Sequence, residues 1–369
     1  MEAIYRTLLE LVESGRSAVV GTIIKQEGPT PRELGTRCVI LEDGAMVGTI
    51  GGGLLEAQTI EASREVFDTR LPKRLFFSLT GQDVAETGML CGGRVEVFLE
   101  PLFPASKETA SIFREVHETL KQGACGLMAT LIDPEAWTHA VPPKRFLTTR
   151  GHHHGTLPGG QGITDTLEHQ MKTFIKSRRT ALLAMENDEG KSCQVLVEPI
   201  MSPSTLVVFG AGHVSRQIVP LAHRVEFHVT VIDDREAFAD ETRFPDADRV
   251  LCRPFEDVME QLNIDEFSYI VIVTRGHIHD KTVLAQSLKT TARYIGMIGS
   301  RRKRDIIYEK LIEEEFSRED LKRVYSPVGL DIGAQTPEEI AVSIVAQLIQ
   351  VRAGGLKWPV QNPKHAKGE

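Results

Sequence analysis

No two cysteines in this 369-residue chain stand at C-x-x-C spacing; the five present (Cys38, Cys91, Cys125, Cys193 and Cys252) are scattered and odd in number. That excludes an obvious zinc or iron–sulfur motif and suits a reducing compartment, so a cytoplasmic location is expected. No apolar run nears the roughly 20 residues that span a bilayer. Positive charge is not in excess: 43 Lys and Arg against 51 Asp and Glu leave a net charge of −8, which argues against a general nucleic-acid role. The first residues, MEAIYRTLLELVESG, lack a signal-peptide layout and read as an amphipathic helix. Its apolar face suits either a core or a homodimer. What is present, 41% hydrophobic and 25% charged residues, is ordinary globular composition, and the length suits two or three domains.

The chain is organised around TLVVFGAGHVSRQ at 205–217. A short unbroken apolar run, rich in β-branched residues, predicts a parallel strand buried on both faces. It leads into Gly210 and Gly212, where the chain turns tightly and a ligand can approach the backbone; the following helix aims its free N–H groups there. This is the phosphate-binding turn of a Rossmann-like unit, with Ser215 where the third glycine would stand. A second strand, HVTVI at 228–232, ends in Asp233, placed to bind a ribose hydroxyl. Further strands at 269–273 and 294–298 end in TRGHIHD (274–280) and GSRRKR (299–304). Ligands bind outside the carboxyl ends of such strands, so Gly210, Gly212, His213, Asp233, Arg275, His277, Ser300 and Arg301 are the candidate ligand-binding residues. His277, His279 and Asp280 admit a metal reading, but without a third firm ligand, ligand contacts or a helix cap are preferred and no metal is assigned. Thr336, Pro337 and Glu339 form a capping box opening a last helix, with Ile340, Ile344, Val345, Leu348 and Ile349 as its apolar stripe.

The first half reads as an internal duplication. The strand at 18–24, GTIGGG at 48–53, a helix at 54–69 and the closing VEVFLEP at 95–101 recur as GLMATLI at 126–132, GTLPGG at 155–160, a second helix and VLVEP at 195–199. Residues 1–104 and 105–204 are therefore expected to be two related α/β units forming one N-terminal α/β domain. Residues 205–355 form the C-terminal Rossmann-like parallel sheet domain, and 356–369 a tail. The second copy lacks GPTPRELG (28–35) and CGG (91–93), and loops on a shared scaffold are where function tends to sit. Thr30, Arg32, Gly51, Gly52 and Gly53 are accordingly loop candidates, although turn chemistry alone accounts for such residues. Cys91 is a candidate reactive thiol because two glycines follow it; a buried structural cysteine fits the same residues. HHH at 152–154 is expected to be a solvated loop.

Taken in order, GPTPRELG, GTIGGGLLE, CGGRVEVFLEP, VVFGAGHVS, TRGHIHD, GMIGSRRKR and SPVGLDIGAQTPEEIA resemble the xanthine dehydrogenase accessory factor family (XdhC/CoxI). The motifs extend from about residue 28 to 349. The resemblance implies an accessory factor that binds the molybdenum cofactor (molybdopterin), assists its sulfuration and delivers it to apo-xanthine dehydrogenase or a related molybdenum hydroxylase. A sulfurtransferase is a further partner of that reading; nucleic acid and membrane are not. Gly210, Gly212, Ser300 and Arg301 would then hold phosphate, and the Cys91 thiolate would approach the metal. An NAD(P)-dependent oxidoreductase using the same turn and Asp233 is the alternative.

Overall fold

The computed structural model describes residues 2–30, 32–78, 93–103, 107–137, 143–158, 160–256 and 258–354. It divides into two units, Met1–Ser202 and Pro203–Glu369. In the first, α1 (Glu2–Glu13), β1 (Ala18–Glu27), β2 (Arg37–Leu41), β3 (Met46–Gly48), α2 (Gly53–Thr69), β4 (Lys73–Ser78) and β5 (Arg94–Leu102) form an antiparallel sheet ordered β3-β2-β1-β5-β4. Then α3 (Lys107–Lys121), β6 (Cys125–Leu131), β7 (Lys144–Thr148), β8 (His153–Thr156), α4 (Gln161–Ser177), β9 (Ala181–Glu186) and β10 (Ser192–Met201) form a second, ordered β8-β7-β6-β10-β9. Element for element, the two sheets have the same order.

Alternation along β1 explains how its sheet is covered. Val19 and Ile23 pack with Leu55 and Val66 of α2, whereas Ala18 and Val20 join the other face. There α1 inserts Tyr5, Leu8, Leu11 and Val12, and α3 inserts Ile112, Phe113, Val116 and Leu120, against Met128, Phe146 and Ile200 of the second sheet. The apolar stripe of α1, which suited a core or a dimer, is thus buried inside its own unit. The close approaches repeat as well. Gly48 (φ +82°) leaves no room for a Cβ, which would meet Arg37 O at 2.8 Å and Ile4 Cδ1 at 2.9 Å. Gly155 (φ +87°) would meet Lys144 O at 2.3 Å and Ile112 Cδ1 at 2.6 Å.

Two ion pairs cross between the sheets in exchanged fashion. Arg37 on β2 bonds Glu198 on β10, and Lys144 on β7 bonds Glu100 on β5 at 2.7 Å; all four side chains are at most 8% exposed. Arg37 also donates to Tyr5 Oη at 2.6 Å and Thr22 Oγ1 at 3.1 Å. Burial raises the Glu198 carboxyl despite the Arg37 and Lys144 charges. HHH at 152–154 departs from expectation. His153 and His154 lie on β8, where His153 meets Glu168 and His154 Nδ1 lies 3.3 Å from Ser111 Oγ, because the strand pairing leaves both rings within reach of helix side chains.

In the second unit all strands are parallel: β11 (Ser204–Phe209), β12 (Phe227–Asp233), β13 (Arg249–Cys252), β14 (Ser268–Ile272), β15 (Tyr294–Met297) and β16 (Val324–Tyr325), ordered β13-β12-β11-β14-β15-β16. The helices are α5 (His213–Arg224), α6 (His277–Leu288), α7 (Arg301–Glu313), α8 (Arg318–Leu321) and α9 (Pro337–Arg352). Leu206 and Val208 of β11 face α5 and α9, while Val207 and Phe209 face α6 and α7, so the central strand is buried on both sides. The capping box at Thr336 and Glu339 is formed. Ile344, Val345 and Leu348 of α9 are buried as expected, whereas Ile349 is 39% exposed at the stripe's margin.

Candidate functional site

The strand order reverses between β11 and β14, which opens a crevice at the carboxyl ends of the sheet. Gly210 begins the turn at φ +103°, and an added Cβ would stand 2.5 Å from Val273 O. No other residue fits there without moving β14. Gly212, by contrast, has open space around its Cβ direction and caps α5 without a side-chain bond. Ser215 is buried and donates its hydroxyl to Gly210 O, so serine here braces the turn from beneath.

Three helices start at this edge, and each carries candidate residues. His213 is exposed at the first position of α5. Gly276, at φ +87°, starts α6 without a side-chain cap, followed by exposed His277. Ser300 caps α7 by accepting from Lys303 N at 3.3 Å, followed by exposed Arg301. Such helix starts favour anions.

Asp233 ends β12 where the sequence places it, but its carboxylate is already engaged. It is 2% exposed; Oδ2 accepts from Ala211 N at 2.8 Å, and Arg235 grips both oxygens at 2.8 and 3.0 Å. Burial works against the charge, yet Arg235 and the Ala211 and Arg235 N–H groups outweigh it, and the carboxyl is held below its ordinary range. With both oxygens committed, a ribose diol has no acceptor there. The groups facing outward are guanidinium groups. Arg235 lies 3.5 Å over the Phe238 ring and Arg243 4.5 Å over the same ring, and Arg275 pairs with Asp234 at 2.9 Å. Sequence reasoning singled out Arg275 but not Arg235 or Arg243. The D-D-R string at 233–235 carried the only signal.

His279 and Asp280 have structural places. His279 packs edge-on against Phe255, with ring centroids 5.3 Å apart. Asp280 is fully buried, accepts from Thr274 Oγ1 at 2.6 Å and pairs with Lys303, tying the end of β14 to the first turns of α6 and α7. Among the described residues no group of three or more His, Cys, Asp or Glu side chains could hold a metal ion, and no helix is long and apolar enough to cross a membrane.

The first unit's glycine-rich loop is closed from within. Glu56 accepts from Thr49 Oγ1 at 2.6 Å, Gly52 N at 3.0 Å and Ile50 N at 3.1 Å. These bonds outweigh burial and lower its pKa. The N–H groups of Ile50 and Gly52 are therefore already committed to a carboxylate, and that of Gly51 to Thr49 Oγ1 at 3.2 Å. Thr30 Oγ1 bridges Gln26 Oε1 and Arg32 O, both at 3.1 Å, with Arg32 itself exposed. Cys91 lies outside the described residues. Cys38 is an unsuitable nucleophile, because burial pushes its thiol up to about 12.

This strand order and glycine turn define a Rossmann-type unit, joined in one chain to a two-sheet α/β unit. The XdhC Rossmann domain model matches residues 206–348, and the XdhC and CoxI family model matches residues 11–78. The chain belongs to the XdhC and CoxI family. It is 27% identical over 352 residues to a Bacillus subtilis protein described as a probable xanthine dehydrogenase subunit, spanning 94% of this chain and 97% of that one. It is 21% identical over 349 residues to the Escherichia coli molybdenum cofactor insertion chaperone PaoD, spanning 95% and 88%. A crystal structure described as a xanthine dehydrogenase from Bacillus halodurans superimposes with a TM-score of 0.73 at 26% identity, covering 95% and 97%.

Proposed function

We propose that this chain is an accessory protein for molybdenum hydroxylases of the xanthine dehydrogenase type, carrying the molybdopterin cofactor as cargo to the apo-enzyme. The observation that carries this reading is the engagement of Asp233 by Arg235, which favours phosphate over a ribose diol at the turn of the second unit. The N–H groups at Gly212 and His213 and the cations Arg235, Arg243 and Arg275 would hold the cargo's phosphate, with Ser300 and Arg301 along the same edge. The relative described as a molybdenum cofactor insertion chaperone supports the cargo's identity. Sulfuration of the cargo before insertion, with Cys91 as the thiol and a sulfurtransferase as partner, belongs to the same proposal.

Parallel titration of the purified chain with molybdenum cofactor and with NADH tests it. Cofactor binding at micromolar concentration or tighter, with no NADH signal, is the expected result. Tight NADH binding without cofactor retention would instead establish the oxidoreductase reading, to which the sheet order is equally suited.

A further inference from the structure

The first unit contains an open cavity of about 670 Å³, lined by strands of both its sheets. That is the size range of small-molecule sites. Its floor is Ile24, Leu34 and Leu182, part of an apolar cluster with Phe98, Leu196 and Trp137. The walls are not equivalent, although they come from equivalent strands. Phe76 pairs with Glu96 across the β4–β5 ladder where Ala184 pairs with Gln194 across β9–β10. Arg74 pairs with Phe98 where Leu182 pairs with Leu196. The first half thus places Arg74, Phe76 and Glu96 where the second has Leu182, Ala184 and Gln194.

The polar groups are arranged for a ligand with a mixed edge. Arg74 bonds Glu96 through Nε and donates from Nη1 to Gln194 Oε1 at 2.7 Å. A guanidinium only donates, so the Gln194 oxygen must face it, and the Gln194 NH₂ is left as a donor. Glu96 gives one oxygen to Arg74, and its second accepts no bond among the described residues. A donor amide beside a carboxylate acceptor matches a heterocycle that carries a carbonyl next to ring N–H and amino groups. Phe76 stands 75% exposed at the mouth, an aromatic face in water with only Ala184 opposite in the other half. Exposed rings of that kind suit stacking.

We infer that this groove binds a planar 2-amino-4-oxo fused heterocycle, the pterin and guanine class, stacked on Phe76 and read at its edge by Gln194 and Glu96. It rests on the cargo reading above. The loop at 28–35 borders the groove through Leu34 and is held by Gly35. A Cβ on Gly35 would come within 2.4 Å of Thr180 Oγ1. The loop found in one half only therefore borders this groove.

The test is fluorescence titration of the full chain with 6-hydroxymethylpterin, with adenosine as the ring lacking the carbonyl edge. Pterin should bind, and adenosine should bind at least tenfold more weakly. Phe76→Ala and Gln194→Leu should each weaken pterin binding at least tenfold with unchanged circular dichroism, and Arg235→Ala should leave it unaltered. Equal binding of adenosine, unchanged affinity in both groove variants, or loss confined to Arg235→Ala would each overturn the assignment. Pterin binding without retention of whole cofactor would uphold the groove and reject the cargo proposal; cofactor retention without pterin binding would do the opposite.

Discussion

Replacing Arg235 by alanine isolates the contact on which the ligand reading of the second unit depends. The substitution leaves the Asp233 carboxylate, 2% exposed, with only neutral backbone donors, the N–H groups of Ala211 and of position 235. Removing one partner of a buried ion pair costs about 3–5 kcal/mol. Arg235 is 27% exposed, so water replaces part of the lost interaction and the lower end applies, about 3 kcal/mol at neutral pH. For a unit of this size that is roughly 6–12 °C in melting temperature. The pH dependence has a definite sign. In the native chain the Asp233 pKa is lowered, so the pair's contribution is present above the ordinary aspartate value of 3.8 and is lost as pH falls through the lowered folded value. In Arg235→Ala the stranded carboxyl gains from protonation, so the deficit should shrink as pH drops towards 4. Arg235→Ala/Asp233→Asn should recover most of the loss at pH 7. Calorimetric scans of the three proteins at pH 7 and pH 4.5 measure this. Equal stability of the single and double variants at pH 7 would refute the reasoning.

Three further outcomes are expected. Gly210→Ala should destabilise the second unit by about 2–4 kcal/mol, since a Cβ at φ +103° collides with Val273 O; a neutral result in urea unfolding would contradict the close approach. Arg37→Met should cost about 3–5 kcal/mol by isolating the buried Glu198, and Arg37→Met/Glu198→Leu should restore much of it, as read by thermal unfolding. Thr336→Ala should cost about 1 kcal/mol through loss of the cap on α9, and Thr336→Gly only a few tenths, measured by the same unfolding transition.

Strand and helix type in the second unit were legible because local pattern and tertiary need coincide there. Unbroken apolar runs become strands buried on both faces, and glycine starts the turn that only glycine can make. The same holds for Thr336 and Glu339, whose capping box is a local bond between residues three apart. Roles that depend on where a side chain folds, onto a near neighbour or a distant partner, were not legible. Asp233 reads from sequence as a free acceptor because nothing in the string shows Arg235 folding back upon it. Gly51, Gly52 and Gly53 read as functional loop candidates because the reach of Glu56 depends on how α2 leaves the loop. Asp280 and Lys303 are separated by an intervening strand and meet only when two helix starts converge on one edge.

By itself the chain specified most of its elements, the Rossmann turn and the family, since each is written in residue spacing and short-range stereochemistry. Tertiary structure alone decided which charges remain available. The exchange of Arg37–Glu198 and Lys144–Glu100 between sheets and the difference between Phe76 and Ala184 across one groove depend on the three-dimensional placing of residues far apart in sequence, and the capture of Asp233 on a side chain two positions on that folds back over it. The physical reason is range. Backbone preference and hydrophobic periodicity act within a few residues, whereas the cost of burying a charge is settled by whichever partner the fold brings within hydrogen-bonding distance.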